Sequence, residues 1–150
     1  MKVAEEENVI LLLGTVMGMD SPCNASTPIV LTVDEVAEII EQIGSSYLAA
    51  YADTQVLSIR GESLTDWFDR LGEKVRLVRF TDGNYNGYRI WGKGVLPAEK
   101  LAEEIYRTGF NGLISFQIPG ERYCENPKDA QKQNHFRALS AWREVMDCQR

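Results

Sequence analysis

The chain has 150 residues, of which 44% are hydrophobic and 25% are charged, and its net charge is −6. This length suits one globular domain, which we predict over residues 1–150 with a flexible start at residues 1–8. An acidic chain without a basic stripe is not expected to bind nucleic acid or an anionic membrane surface. The acidic residues near Met1 argue against a signal peptide, and the apolar run Val9–Val16 is too short to span a bilayer, so we expect a cytoplasmic protein.

The first half of the chain contains two predicted strand–loop–helix units. Val9–Val16 and Tyr47–Ala52 are apolar runs typical of buried parallel strands. Loops are predicted after them, over Met17–Leu31 and Asp53–Glu62. The helix boundaries follow from capping residues and glycines, which are Thr32 with Glu35 and Gly44 for the first helix, and Ser63 and Gly72 for the second.

The second half repeats this pattern twice. Val75–Phe80 and Leu113–Ile118 are the predicted strands. A Gly- and Tyr-rich loop with the turn Gly92-Lys93-Gly94 follows the first of them, and the loop Pro119–Glu125 follows the second. The two helices are predicted to start at Pro97 and at Asn126-Pro127; the first stops at Gly109, and the second buries Phe136, Leu139, Trp142 and Val145.

Four consecutive strand–helix units predict an α/β fold with a parallel sheet and right-handed crossovers. Two architectures fit this order. One is a small doubly wound sheet, and the other is half of a (β/α)8 barrel, whose full length is typically about 250 residues. The periodicity leaves both open. In either fold, the functional groups are expected at the carboxyl ends of the strands.

Several linked segments resemble the carboxyl-terminal half of one enzyme family. In chain order they are GESLTDWFDRLGEKV, a strand ending in FTDG, GYRIWGKGVLP, RTGFNGLISFQI and ERYCENPKDAQKQNHFRAL. They are similar to the sugar-phosphate isomerase/epimerase family of xylose-isomerase-like TIM barrels, above all to its fructoselysine and ketose 3-epimerase branch. The resemblance runs from about Val9 to Leu139 and implies that the four units are strands five to eight of the barrel.

The resemblance also implies a chemistry. Enzymes of this family use one divalent metal ion, usually manganese or cobalt, to epimerise ketoses or sugar amines. The ion stabilises the enediolate charge, and two glutamates move the proton. The metal ligands are a Glu, an Asp, a His and a second Glu, one from each of strands five to eight.

Only one of these four ligand positions keeps its residue in this chain. The two glutamates fall on Gly14 and Gln117, the aspartate is Asp53, and the histidine falls on Arg79. A further site residue, His or Arg in the family, falls on Tyr88. One carboxylate cannot hold a catalytic divalent ion beside an arginine, and Gln117 cannot act as a base. We therefore expect no catalytic residue, Asp53 only as a remnant metal ligand, and no bound metal or other cofactor.

Two functions are compatible with this partial match. We expect a sugar isomerase- or epimerase-like protein that is inactive as a chain alone; the alternative is a non-catalytic carbohydrate-binding or regulatory remnant. In both, a sugar or sugar-phosphate ligand would bind hydrogen-bonding groups at the strand ends, which are Asp53, Arg79, Asp82, Tyr88 and Gln117. A plain ion pair is the competing interpretation of Arg79 with Asp82.

Half a barrel leaves two open sheet edges and an apolar inner face. We therefore expect the chain to pair with another half, either as a homodimer or with a separate, complementary half-barrel chain. A truncated gene product of marginal stability is the third interpretation of the same pattern.

Overall fold

The computed structural model describes residues 1–15 and 32–148. The loop predicted at Met17–Leu31 and the end of the first predicted strand at Val16 lie outside these ranges. The helices are α1 (Lys2–Glu6), α2 (Val33–Ile43), α3 (Thr54–Arg60), α4 (Leu64–Leu71), α5 (Ala98–Arg107) and α6 (Pro127–Cys148). The strands are β1 (Leu11–Leu13), β2 (Leu48–Asp53), β3 (Val75–Arg79), β4 (Asp82–Asn84), β5 (Gly87–Arg89) and β6 (Leu113–Ser115).

The main sheet is parallel and follows the order of the chain. Its strands lie side by side as β1, β2, β3 and β6, and each neighbouring pair is parallel. In a doubly wound sheet the winding reverses at a switch point, so the strand order departs from chain order. A (β/α)8 barrel keeps chain order throughout. The predicted α/β class with a parallel sheet is confirmed, and the strand order favours half a barrel over a doubly wound sheet.

The two faces of the sheet have different surroundings. Along β2, the side chains of Leu48, Ala50 and Ala52 belong to the core that the sheet shares with helices α2, α4, α5 and α6. Successive side chains of a strand point to opposite faces, so Tyr51 and Asp53 lie on the other face. That face corresponds to the interior of a closed barrel.

An aromatic cluster fixes the loop after β3 against the last helix. The ring of Phe80 lies 4.4 Å from that of Trp91, 5.8 Å from that of Trp142 and 6.2 Å from that of Phe116, between ring centroids. The indole N–H of Trp91 donates to the Phe80 carbonyl at 3.1 Å. Its backbone N–H donates to Asn134 on α6 at 2.8 Å. Trp91 therefore connects the end of β3, through Phe80, to the last helix, through Asn134.

The helix boundaries predicted from capping are confirmed for α2 and α4. Thr32 and Ser63 each accept a hydrogen bond from the backbone N–H three residues later, and each forms a reciprocal capping box. Pro97, predicted as the first residue of a helix, is instead the N-cap of α5. Residues 1–8, predicted as a flexible start, contain α1, and Ser45 donates to Glu5 of that helix at 2.7 Å.

The predicted loop Asp53–Glu62 is wrong, because it contains α3. The side chain of Asp53 accepts hydrogen bonds from the N–H groups of Gln55 and Val56, which makes it the N-cap. Gly61 ends the helix with φ of 74°. Both capping signals are present in the sequence, but a helix of seven residues is too short to show a clear apolar period.

Two further predictions in the second half differ from the structure. The Gly- and Tyr-rich loop contains an antiparallel hairpin of β4 and β5. Phe136, predicted to be buried, is 71% exposed. The buried stripe of α6 consists instead of small residues and one valine, at Ala130, Asn134, Ala138, Ala141 and Val145. Alanines at these sites bring the helix close to α5 and the sheet, and Phe136 lies off that stripe.

Candidate functional site at the strand ends

The carboxyl ends of the four parallel strands meet at one edge of the sheet. Asp53, the last residue of β2, is in register with Arg79 at the end of β3, and Arg79 is in register with Ser115 at the end of β6. These three side chains form a row on the inner face, because residues in register on parallel strands point to the same side. The predicted site residues Asp53 and Arg79 are thus neighbours.

Asp53 is buried and its carboxylate accepts four hydrogen bonds from the chain. It is 1% exposed. One oxygen accepts the N–H groups of Gln55 at 3.1 Å and Val56 at 3.3 Å, and the hydroxyl of Thr81 at 2.8 Å. The other oxygen accepts the hydroxyl of Tyr88 at 2.8 Å. An ionised carboxylate offers about two acceptor sites on each oxygen, so the first oxygen is saturated and the second, which accepts Tyr88, keeps one site.

Burial shifts the pKa values of both Asp53 and Tyr88. Burial raises the pKa of the Asp53 carboxyl, while the hydrogen bonds from Tyr88, Thr81 and Val56 and the charge of Arg79 oppose that rise. Burial also raises the pKa of Tyr88, and the negative charge of Asp53 raises it further. The phenol therefore stays protonated and acts as a donor to the carboxylate.

Tyr51 fills the space next to Asp53 on the inner face. A Cβ atom at Gly14 would lie 2.5 Å from the Tyr51 ring, so only glycine fits at residue 14 with the ring in this place. The Tyr51 hydroxyl donates to the Thr15 carbonyl at 3.2 Å. On its other side the ring carries the guanidinium of Arg79, whose Cζ lies 4.4 Å from the ring centroid. Tyr51 therefore occupies the region that a glutamate at residue 14 would need.

Asp82 has a different role from the one predicted. It is 1% exposed, and one carboxylate oxygen accepts the N–H groups of Gly83 and Leu96. The other oxygen accepts those of Gly92 and Gly94, both at 2.9 Å. The Asp82 carboxylate therefore binds backbone N–H groups of the segment that follows β3. Within residues 1–15 and 32–148 it forms no ion pair with Arg79, which contradicts that interpretation of the two residues.

Gln117 is exposed and lies two residues beyond β6. Because it comes two residues after Ser115, Gln117 lies past the row of Asp53, Arg79 and Ser115, beyond the carboxyl ends of the strands. The structure therefore brings together Asp53, Tyr88 and Arg79, leaves Gln117 at the periphery, and assigns Asp82 to a loop.

The donor set does not fit a divalent metal ion. Among the residues that the structure describes, no three His, Cys, Asp or Glu side chains lie close enough to hold one. Among the described residues, Asp53 is the one carboxylate at the ends of the parallel strands, and it already accepts four hydrogen bonds. Arg79 adds a permanent positive charge beside it. The one described histidine, His135, lies on α6 with its ring edge-on to Phe116.

Sequence reasoning missed Tyr51, which is central to this site. A signal for it does exist: alternation along β2 puts Tyr51 on the same face as Asp53, and a glycine at the end of the neighbouring strand leaves room for a large ring. The pairing of Tyr88 with Asp53 was also missed, because each was considered separately as a ligand-binding group.

The comparisons with known proteins agree with this fold. A family model described as xylose isomerase-like TIM barrel matches residues 1–142. The chain is 26% identical over 131 residues to fructoselysine 3-epimerase of Escherichia coli O157:H7, in an alignment that covers 82% of this chain and 47% of the relative. The chain thus spans about half the length of the curated relatives it matches.

Solved structures of sugar epimerases share the same half of the fold. A D-tagatose 3-epimerase-like protein superimposes with a TM-score of 0.73 at 17% identity, over 99% of this chain and 52% of that one. D-psicose 3-epimerase of Clostridium cellulolyticum H10 superimposes with a TM-score of 0.62 at 18% identity, over 97% of this chain and 51% of that one. In the described ranges, no helix is both long enough and apolar enough to cross a membrane.

Proposed function

The chain belongs to the xylose isomerase-like TIM-barrel family, and we propose that it is a sugar-epimerase-like protein that does not perform metal-assisted proton transfer by itself. The observation that carries this proposal is the state of Asp53, whose two carboxylate oxygens accept four hydrogen bonds from the chain itself. The oxygen that accepts the Tyr88 hydroxyl keeps one acceptor site, so Asp53 could offer a metal ion a single contact, and no group of three His, Cys, Asp or Glu side chains among the described residues could complete a metal site. The family predicted from the sequence is confirmed; the loss of its chemistry is our proposal.

The groups needed to move a proton support the same proposal. Transfer next to a carbonyl group needs a base whose pKa lies near the working pH. Gln117 has no titratable group, and Gly14 has no side chain and no room for one next to Tyr51. Asp53 is the carboxylate that remains at the strand ends, and it is enclosed by its donors.

Exchange of a substrate hydrogen with solvent tests this proposal most directly. The metal-stripped chain is incubated with D-psicose or D-fructose in deuterated water, with and without manganese or cobalt, and deuterium at C3 is followed by NMR. We expect no incorporation above the rate without protein. An intact D-psicose 3-epimerase serves as the positive control, and metal-dependent incorporation by this chain alone would overturn the proposal.

A second candidate function is carbohydrate binding without catalysis. It is favoured by polar side chains near the carboxyl ends of the strands that have no hydrogen-bond partner among the described residues, above all the guanidinium of Arg79 and the exposed amide of Gln117. Calorimetric titration with D-fructose and D-psicose separates the two functions. Binding that is equal with and without metal favours this candidate, whereas binding that requires metal contradicts it.

We also propose that another half-barrel completes the sheet. Strands β1 and β6 are its two edges, and each carries an exposed leucine, Leu11 at 45% and Leu113 at 73% exposure. Open edges with apolar side chains are templates for pairing with further strands. The occupant is either a second copy of the chain or a complementary chain that supplies the remaining strands.

Light scattering coupled to size exclusion tests the second copy, and we expect twice the chain mass. The double variant Leu11→Lys with Leu113→Lys should shift the protein to the monomer, because it puts charges on both edges. Glu73→Lys is a matched control on an exposed turn. A stable, cooperatively unfolding wild-type monomer would contradict pairing between copies, and a broad, non-cooperative transition would favour the marginally stable fragment.

A further inference from the structure

Arg79 stands out among the half-buried arginines of the described chain. Arg60 forms an ion pair with Glu62, and Arg137 forms one with Glu99. Arg89 donates to the Tyr88 carbonyl. Arg79 makes no hydrogen bond and no ion pair through its guanidinium within residues 1–15 and 32–148. A guanidinium that has lost part of its water without gaining an acceptor is costly, and it is normally compensated by an anion.

The neighbouring carboxylate attracts Arg79 electrostatically but, among the described residues, forms no ion pair with it. Asp53 is in register with Arg79, yet its two oxygens already accept four hydrogen bonds, including that of Tyr88. The guanidinium lies over the face of Tyr51 instead. Stacking on an aromatic ring leaves the N–H donors in the guanidinium plane available, so Arg79 is held in place without being consumed.

A second donor lies beside it on the inner face. Ser115 is the register partner of Arg79 on β6, so its hydroxyl is on the same side of the sheet. Ser115 is half-buried and carries no charge. Arg79 and Ser115 therefore place guanidinium N–H donors and a hydroxyl on the same face at the carboxyl ends of two adjacent strands. This arrangement matches a planar or tetrahedral oxyanion that accepts two parallel hydrogen bonds.

We propose that Arg79 is the centre of a metal-independent oxyanion site, which binds the carboxylate or phosphate group of a small molecule at the place where the family holds its metal ion. The cation of the side chain takes over the positive charge that a divalent ion would supply. Tyr51 supports the guanidinium from one side, and the donors of Arg79 are not used by Asp53, which accepts Gln55, Val56, Thr81 and Tyr88 instead. This inference deepens the carbohydrate-binding function, since it names the group of the ligand that the site recognises.

Calorimetric titration of metal-stripped protein at low ionic strength tests the site. The probes are inorganic phosphate, D-fructose 6-phosphate, D-gluconate and uncharged D-fructose; metal is removed beforehand on a chelating resin, because a soluble polycarboxylate chelator would compete. We expect saturable binding of a phosphate or of the carboxylate probe without metal. The group that binds more tightly, phosphate or carboxylate, is the oxyanion that the site recognises.

Substitutions test whether Arg79 is responsible for oxyanion binding. Arg79→Gln should weaken oxyanion binding by about 10- to 100-fold, as expected for loss of a charge-assisted pair, and Arg79→Lys should recover part of it. Arg76→Gln is the matched control, since Arg76 is exposed near the opposite end of the same strand; its affinity should stay within about twofold. Equal losses in both variants, or no oxyanion binding by the wild type, would overturn the inference.

A measurement on the wild-type protein covers the case in which Arg79→Gln does not fold. Phenylglyoxal modifies accessible arginines, and peptide mass spectrometry gives the rate at each one. Inorganic phosphate should slow modification of Arg79 and leave that of Arg76 unchanged; equal rates with and without phosphate contradict the site. Metal-dependent hydrogen exchange at C3 would refute the proposed loss of proton transfer but would not affect the evidence for the oxyanion site. Binding of D-fructose without binding of any oxyanion would support carbohydrate binding and contradict the oxyanion site.

Discussion

Asp53, the last residue of β2, and Asp82, the first residue of β4, have the same burial but different partners. Asp53 and Asp82 are both 1% exposed, and each accepts four hydrogen bonds. All four donors of Asp82 are backbone N–H groups of its own loop. Two of the four donors of Asp53 are the side-chain hydroxyls of Thr81 and Tyr88. Asp82 is therefore part of the scaffold, whereas the surroundings of Asp53 can be changed one side chain at a time.

This comparison explains why the candidate site includes Asp53 and not Asp82. A carboxylate enclosed by backbone groups cannot exchange them for a ligand without unfolding the loop between Gly83 and Leu96. The groups around Asp53 include Arg79 and Tyr51, whose side chains contact each other on the inner face. Substitutions at the two aspartates should therefore affect different properties, stability in one case and the state of the site in the other.

The largest effect is expected at Asp82. Asp82→Ala leaves four backbone N–H groups without their acceptor and should lower the free energy of unfolding by about 3–5 kcal/mol. Urea unfolding followed by circular dichroism measures the loss. Asp69→Ala, on the exposed side of α4, is the matched control and should change stability by less than about 0.5 kcal/mol. A similar small change in Asp82→Ala would show that the loop does not depend on this carboxylate.

The next largest effect is expected when the family's glutamate is restored. In Gly14→Glu the new side chain meets the Tyr51 ring, so we expect a loss of about 3 kcal/mol and no gain in manganese or cobalt affinity. Gly120→Glu is the control, since a Cβ there meets no atom within 4 Å. Calorimetric metal titration gives the second readout, and a stable Gly14→Glu variant that binds one divalent ion would contradict our account of Tyr51.

A smaller effect is expected for the hydroxyl of Tyr88. Tyr88→Phe removes one hydrogen bond to a buried carboxylate and should cost about 1–2 kcal/mol near neutral pH. The loss should shrink as the pH falls, because this hydrogen bond favours the ionised form of Asp53. Tyr85→Phe, at a side chain that is 78% exposed, is the control. A loss that is independent of pH would mean that the hydroxyl acts through packing alone.

The smallest effect is a change in the pH dependence of stability. The folded pKa of Asp53 is raised by burial, so the folded state binds more protons than the unfolded state. Its contribution to stability is full below the unfolded pKa of about 3.9 and is lost as pH rises through the folded value. Asp53→Asn removes this contribution, so the free energy of unfolding of the wild type minus that of the variant should fall as the pH rises.

Urea unfolding of both proteins between pH 4 and 8 measures that difference (about 1.4 kcal/mol corresponds to one pKa unit). The comparison has to be made between the two proteins, because other carboxyl groups titrate in the same range. Asp147→Asn, at an exposed residue of α6, is the control. A difference that rises with pH would show that hydrogen bonding outweighs burial at Asp53.

Local signals accounted for most of the fold. The capping residues of α2 and α4 lie within four residues of the groups they bind, so they could be recognised directly. The strands of the main sheet were recognised from apolar runs, although β1, β3 and β6 are shorter in the structure than the runs that predicted them, and β2 is shifted by one residue. The helix α3 was missed because its cap, Asp53, was interpreted as the start of a loop. Phe136 was misplaced because the closest approach of α6 is made by alanines, which carry little hydrophobic signal.

The sequence by itself determined the family, the parallel α/β fold and the residue types at the strand ends. The resemblance predicts that Gly14, Arg79 and Gln117 stand at the family's metal-ligand positions, and none of the three is a Glu or a His. Only the tertiary structure decided how the remaining groups are used, because their partners lie far apart in the chain: Tyr88 is 35 residues from Asp53, and Thr15 is 36 from Tyr51. Such pairs depend on the register of neighbouring strands and on the space that a glycine leaves for a ring, and neither is encoded within a single segment.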